Sequence, residues 1–572
     1  MWCSGLSRVI FDRAAPYAAS LVTLLATLQL LEFFSPEYLT TSHRFWQSTA
    51  FKVDVPFFLP LLILTLVLAM VIAAKGPRYL ILPLISGFSI LILDLGTTLA
   101  VVSLVSVIVF LYQRRRFQEY CIGLLGVVSV IEASSLLHYL FFVPLGLRDP
   151  FQALTSLEQS LYYLVAQLSP YYMLIYTYVG IAVPLYHLIH RPTVKEATSR
   201  DRSGANTQVY LALVLTLLLS VAVAVYPYLS KVNPENLNPG VDINEYVADY
   251  YKIVADPSKM LTTMGGSRPI YYLLLFAFQK ITSLDPLSAI RLFPIILNPL
   301  LCASAFILTR EITRDTSMAT FASFFTASGF TLAVGMYAYF LTSMLMLSII
   351  FLSLAALLKA LREKSRIYLA LAITLGCLFV FTHPWTFVQY MAAVCGATIL
   401  TLFYSRHDEM SHNTRWLILY CVLVASTDLV KLILLRDSIE GVAAFGRLLS
   451  GITTPTTFWL DFINTSRFYL GGYLTNFPLL TLAAIGLVKA RERTIPNLIL
   501  WVLSGSTSFV YLIGDTVIKS RLLYNIPVGV LAAYGISYID DLKVDRGLKM
   551  VLKLVIVVSL LSCLFRDLAN LI

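Results

Sequence analysis

Charge is what this sequence has least of. Asp, Glu, Lys and Arg make up 13% of its 572 residues, about half the share carried by a water-soluble domain. The seven cysteines, Cys3, Cys121, Cys302, Cys377, Cys395, Cys421 and Cys563, contain no CxxC pair, so neither a disulfide framework nor a zinc site is indicated. Neither HExxH, a Ser-His-Asp order nor a Gly-rich phosphate loop occurs, which points away from metalloprotease, acyl-transfer and nucleotide-binding chemistries. Arg8 and Arg13 precede an apolar run as in a secretory signal, but its end, LEFFSPE, has no small-x-small cleavage site. That run reads as a retained first span.

What is present is apolar length. The chain is 58% hydrophobic with a mean hydropathy of +0.78, and runs long enough for a hydrocarbon core of about 30 Å recur almost to the C-terminus. In lipid every backbone polar group must be satisfied internally, and these runs lack the alternation of barrel strands, so they are helices. The expected fold is all-α, a polytopic transmembrane bundle of about 17 spans. They fall near 15–34, 55–74, 79–94, 97–112, 119–142, 170–190, 209–228, 286–309, 317–335, 337–360, 367–382, 385–404, 416–434, 474–489, 496–514, 522–538 and 549–566. Between Tyr79 and Tyr112 the run is either a hairpin around Asp94 and Gly96 or one tilted helix, which length alone does not decide.

The net charge of +10 sits in short clusters between the apolar runs, which reads as topology and not as a nucleic-acid surface. With the hairpin, Arg8/Arg13, Arg114 to Arg116, Arg191 to Arg202, Arg310/Arg314, Arg362/Lys364/Arg366, Lys489/Arg491/Arg493 and Lys543/Arg546 share one face. Positive residues near span ends stay cytoplasmic, so the N-terminus is expected inside, the C-terminus outside, and the plasma membrane is the expected location. Two long loops, 229–285 and 435–473, then face outward, and loops of that length tend to be functional. The polar stretch Arg191 to Gln208 divides a module of about six spans (1–205), whose role the sequence does not reveal, from one of about eleven (206–572). Glu132 and His138 inside a span of the first module are costly in lipid and must face protein or water.

The first long loop opens with the acidic segment DINE, continues to Arg268 and PIYYLLLFAFQKI, and leads into AIRLFP. LTREITRD, FTHPWTF and SRLLYNIPVGVLAAYGI follow in order. In this collinear arrangement the chain from about Asn206 to the C-terminus resembles the GT-C superfamily of membrane glycosyltransferases, which take sugars from polyprenyl-phosphate carriers. Residues 1–190 have no counterpart in the minimal plan of that superfamily. The resemblance implies sugar transfer with inversion to an acceptor outside the membrane, a protein, lipid or glycan, with membrane lipid and a polyprenyl-phosphate-linked sugar as partners and no nucleic acid. Some members hold a divalent ion (Mg or Mn) with outer-loop acids and others use none; here Asp437, Glu440 and Asp461 of the second long loop could join such a set, and the spacing leaves both cases open.

Transfer from a lipid phosphate needs a base for the acceptor's proton and cations for the phosphate. The resemblance places Asp242 at the acidic position, with Glu245 as its understudy. The same four residues also fit an N-cap Asp with Glu at N3, a capping box. Arg268, Arg291 and Arg521 are the phosphate-binding candidates, since a guanidinium can clamp two phosphate oxygens. Arg268 and Arg291 also fit headgroup-facing or snorkelling roles, and Asp515 could simply pair with Arg521. At about thirteen residues the PIYYLLLFAFQKI helix is too short to span and reads as interfacial, with Tyr271 and Tyr272 at headgroup level. His383, Tyr271 and Tyr272 are candidate substrate contacts, although a lone His at a turn is more often solvated or capping. The reading from a different class is a transporter or flippase of lipid-linked or small polar substrates, which would favour paired charges deep in several spans and two related halves.

Overall fold

The computed structural model describes most of residues 118–147, 176–189, 207–404, 408–435 and 477–569, with short gaps such as 262–267 and 514–515. The expected spans between 15 and 112, with their hairpin alternative, lie outside the described residues. The chain divides into two compact units, Met1–Val179 and Gly180–Ile572.

Of the first unit, helix α1 (Cys121–Phe142) is described, ending in a π-helical turn, His138–Phe142. Glu132 and Ser129 on α1 are fully buried, as the cost of a carboxylate facing lipid requires.

The second unit takes in the helix α2 (Val179–Ile189) from its second residue onward. His187 stacks on Trp501 with ring centroids 4.9 Å apart, and its Nε2 lies 3.3 Å from Leu487 O. The elements that follow are α3 (Thr207–Val225), α4 (Ile243–Ala255), α5 (Pro269–Thr282), α6 (Pro286–Leu292), α7 (Pro294–Thr313), α8 (Thr316–Ser328), α9 (Phe330–Tyr337), α10 (Leu341–Glu363), α11 (Arg366–Cys377) and α12 (Phe379–Thr382). After them come α13 (Pro384–Tyr404), α14 (Asp408–Leu435), α15 (Phe477–Lys489), α16 (Ile495–Ile513), α17 (Thr516–Tyr524), α18 (Val528–Ser537) and α19 (Arg546–Ala569). The described residues contain no strand.

Among the described residues eight helices are long and apolar enough to cross a membrane: Cys121–Phe142, Thr207–Tyr228, Pro286–Thr313, Thr316–Met336, Leu341–Glu363, Pro384–Phe403, Asn413–Leu434 and Arg546–Leu568. The chain is accordingly a membrane protein. Three other expected spans take a different form. Residues 367–382 break at Leu378 into α11 and α12, 474–489 shorten to the 13 residues of α15, and 522–538 break at Pro527, leaving the 10 residues of α18. At 1.5 Å per residue α15 reaches about 20 Å, and the residues of α15 and α18 are almost all buried. They are core helices wrapped by protein, a case that hydropathy alone does not separate from a span.

Ion pairs tie basic helix ends to neighbouring elements. Arg362 Nη1 meets Glu311 Oε2 at 2.6 Å, joining the C-terminal ends of α7 and α10. Lys489 pairs with Asp541 at 3.0 Å and Lys553 with Asp540 at 2.7 Å beyond the end of α18. The turn at Tyr339 precedes α10, and those at His383 and Asn525 join it at the start of that helix, away from Arg362, through Ser343 and Thr386.

Close backbone approach is what packs α18. A Cβ on Gly535 would overlap the carbonyl of Leu482, one on Gly486 that of Leu531, and one on Gly529 would meet Ala322 O at 2.9 Å. Small residues at such crossings let helices touch where no hydrophobic force separates protein from lipid. Gly535→Ala is therefore expected to lower the thermal midpoint of the detergent-solubilised protein by the equivalent of about 1–3 kcal/mol, the usual range for overpacking. Gly505→Ala, where an added Cβ meets nothing closer than Gly180 O at 3.7 Å, should be neutral or mildly stabilising.

Candidate functional site

Helix α4 has an amphipathic pattern: Ile243, Tyr246, Tyr250 and Ile253 form its buried face, at the three- and four-residue spacings of one helical stripe. Asp242 starts this helix. Its carbonyl accepts from the backbone N–H of Glu245 (3.2 Å) and Tyr246 (3.4 Å), but its side chain makes no capping hydrogen bond. The capping-box alternative is thus not realised, and the Asp242 carboxylate is not committed to helix capping. Glu245 lies exposed on the same first turn.

Two phenols dock α4. Tyr250 Oη donates to Gln279 Oε1 of α5 at 2.7 Å. Tyr246 accepts a short hydrogen bond from Arg268 Nη1, carries that guanidinium 5.2 Å from its ring centroid, and lies 3.2 Å from Thr342 Oγ1 at the start of α10. Arg268 immediately precedes Pro269 at the N-terminal end of α5. Its Nε is buried without a hydrogen-bond partner, as is the Tyr271 hydroxyl.

Tyr271 and Tyr272, expected at headgroup level, are fully buried against protein. Their rings stand 5.7 and 6.4 Å from that of Tyr246, inside an aromatic cluster that includes Tyr339 at 5.1 Å. Burial pushes the Tyr272 phenol far up, and the nearby Tyr246, Glu245 and Asp249 add to this, so Tyr272 stays protonated. The face of α5 away from the cluster exposes Leu273, Leu274 and Ile281. At 14 residues the helix is too short to span, as the sequence indicates.

Tyr339 has φ +60°, a left-handed conformation costing a side-chain-bearing residue about 1–2 kcal/mol. It ends α9 in a Schellman arrangement: Phe340 N donates to Gly335 O at 2.8 Å and Tyr339 N to Met336 O at 3.3 Å. Glycine is usual there. The ring contacts of Tyr339 within the cluster offset the strain.

His383 is neither solvated nor at a free surface, being 2% exposed. The Thr386 backbone N–H donates to its Nδ1 at 3.3 Å, so Nδ1 is unprotonated and Nε2 bears the hydrogen, facing Ser343 Oγ at 3.4 Å. Thr386 Oγ1, 2.8 Å from Nδ1, accepts from Asn525 Nδ2 at 3.0 Å. Asn525 Nδ2 also donates to Gln389 Oε1 at 2.8 Å, and Tyr390 Oη donates to the Asn525 carbonyl at 3.2 Å. The network pins the residue that follows α17, whose last turn carries Arg521. Burial, then the positive charges of Arg268 and Arg521, hold the His383 pKa well below its ordinary value of 6.5. Arg268, Arg521 and a neutral His383 thus share one neighbourhood.

Arg291 is engaged elsewhere. Its Nε donates to Asn238 Oδ1 at 2.8 Å, its Nη2 donates to the same oxygen, and the guanidinium lies 5.8 Å from the Tyr228 ring centroid. It ties the start of the long loop to α6. Asp515, Asp437, Glu440 and Asp461 lie outside the described residues. Among the described residues no three His, Cys, Asp or Glu side chains are grouped to hold a metal ion, and none of the six described cysteines is in a disulfide.

Sequence reasoning names Asp242, Glu245, Arg268, His383 and Arg521, but not Tyr246, Thr342, Ser343, Gln389 or Asn525. A signal for Tyr246 exists, its place on the apolar stripe one turn after Asp242. The others are uncharged residues inside or beside apolar segments and carry none.

No protein family and no curated protein matches this sequence. Among solved structures, the chain is similar to the oligosaccharyltransferase of Archaeoglobus fulgidus in its apo form, at 13% identity and a TM-score of 0.43, over 64% of this chain and 56% of that one. The same enzyme tethered by a disulfide bond to an acceptor peptide containing the NVT sequon matches at 13% identity and a TM-score of 0.42, over 64% and 55%. This chain thus aligns with little more than half the length of that enzyme.

Because the folded pKa of His383 is depressed, the unfolded chain takes up the proton first as pH falls. Stability from this group is complete above the ordinary value of 6.5 and declines below it. Melting temperatures recorded between about pH 7.5 and 5 should fall for the wild type, and the fall should be shallower for His383→Gln. Equal slopes would assign the acid sensitivity to another group.

Proposed function

We propose that this chain is a GT-C-type membrane glycosyltransferase that moves a sugar from a polyprenyl-phosphate donor to an acceptor at the outer face. The observation that carries this reading is that the charges of Arg268 and Arg521 both act on the buried His383, at the end where α10 begins, while Arg268 also bonds Tyr246, one turn beyond Asp242 on α4. That end is opposite the basic loops, which by the positive-inside rule are cytoplasmic. The N-terminus then lies inside and the C-terminus outside.

In the proposed transfer an acceptor hydroxyl or amide attacks the anomeric carbon, the new glycosidic bond forms, and the bond from carbon to phosphate oxygen breaks with inversion. Asp242 accepts the acceptor's proton, with Glu245 as the alternative carboxylate. The electron pair leaves on the phosphate, whose charge Arg268 and Arg521 stabilise in a water-poor setting where such interactions are strong. His383, neutral with a hydrogen on Nε2, serves as a hydrogen-bond donor and not as a cation. Tyr271, with a buried unpartnered hydroxyl, is a second candidate donor, while Arg291 holds the loop. A divalent cation would find Asp242 and Glu245 among the described residues, short of the six oxygen ligands a hard cation takes, and no proposed step passes through one.

Incubating the purified protein in lipid nanodiscs with a radiolabelled polyprenyl-phosphate sugar tests the reading through release of polyprenyl phosphate and label transfer. Asp242→Asn should lower the rate at least 100-fold, the scale of general-base contributions, with the protein still inserted and folded. Arg521→Ala should raise the donor KM, the loss of one charge-assisted contact being worth about 10-fold or more. A transporter would neither release the phosphate nor respond in this way to Asp242→Asn.

A further inference from the structure

Tyr246 links the acidic start of α4 to Arg268 and to α10. Asp242 and Tyr246 are four residues apart and lie on one side of the helix. Tyr246 joins three elements: it belongs to α4, its hydroxyl accepts from Arg268 at the start of α5, and it meets Thr342 Oγ1 at the start of α10 at 3.2 Å. The next residue of α10, Ser343, faces His383. By contrast Tyr250, one turn further on, docks the distal half of α4 to α5, through Gln279 and a stacked contact with Tyr272. The tyrosine ring is 4% exposed and packed edge-on against Tyr271 and Tyr339, so its hydroxyl has a defined position.

We propose that Tyr246 is a positioning residue for the reaction: its hydroxyl sets the spacing between the carboxylate at the start of α4 and the Arg268 guanidinium, with Thr342 as the fixed reference on α10. This rests on the transferase reading above. A donor contact alone would be expressed in binding. A device that sets the distance between base and cation is expressed in turnover, because misplacement by about 1 Å costs on the order of 100-fold in rate. Thr342 is a transmembrane-helix residue at 1% exposure and therefore a rigid partner, unlike a loop side chain.

The test compares Tyr246→Phe, Thr342→Val, Thr342→Ser and Tyr250→Phe in the transfer assay, with melting temperature recorded for each. Tyr246→Phe should lower kcat by about 10-fold or more, the loss expected when a hydrogen bond to a charged group is removed, with donor KM within about twofold. Thr342→Val should reproduce part of this loss and Thr342→Ser should restore it, because only the hydroxyl matters. Tyr250→Phe should lower the melting temperature while leaving kcat and KM near wild type. Wild-type turnover in Tyr246→Phe, a loss confined to KM, or equal losses in Tyr246→Phe and Tyr250→Phe would overturn the positioning role while the transferase reading stood. Absence of transfer by the wild type would overturn both.

Discussion

A guanidinium held among phenol rings in an apolar protein is tolerable only where its charge is answered by hydrogen bonds and ring faces. The contact of Arg268 with Tyr246 meets that condition, and much of the site follows from it. It draws the start of α5 onto α4, brings Tyr246 against Thr342, and leaves Arg268 near His383 with its Nε still open. The carboxylates of α4 remain at the edge of this cluster, where water is available. A carboxylate and a guanidinium can coexist there without neutralising each other.

The second requirement is rigidity at helix ends. Tyr339 accepts a left-handed backbone to turn α9 into α10, and His383 both ends α12 and caps α13 with its ring. Asn525, between α17 and α18, is held by Thr386, Gln389 and Tyr390. Each turn is fastened by side chains from other helices, because a backbone break inside an apolar protein leaves polar groups that must find partners. A site assembled from such turns gains precise placement from the packing of the helices behind them. That packing depends on glycines at the crossings of α18 with α15 and α8.

Several residues show how legibility depends on chemistry. Asp242, Arg268 and Arg521 stand out through the collinear motifs in which they sit, which mark them before any coordinates are known. His383 is conspicuous for the same reason, yet its burial and its neutral state come from Thr386 and two arginines distant in sequence. Arg291 looks like its fellow arginines and is instead bound to Asn238, a partner fifty-three residues away. Thr342, Ser343, Gln389 and Asn525 lie in or beside apolar stretches that give no reason to single them out. Their roles come from which helix end meets which.

The sequence by itself determined that the chain is helical and membrane-embedded, since no other structure satisfies the backbone of so many long apolar runs. It also determined which ends are basic and that the first long loop carries a helix too short to span. Only the tertiary structure decided which apolar segments form long helices and which are short buried ones, because hydropathy measures distance from water and not whether lipid or protein provides it. It likewise decided that Tyr271 and Tyr272 are core residues and that Asp242 leaves its own helix uncapped. Those outcomes turn on contacts between segments far apart in the chain, and such contacts leave no local pattern.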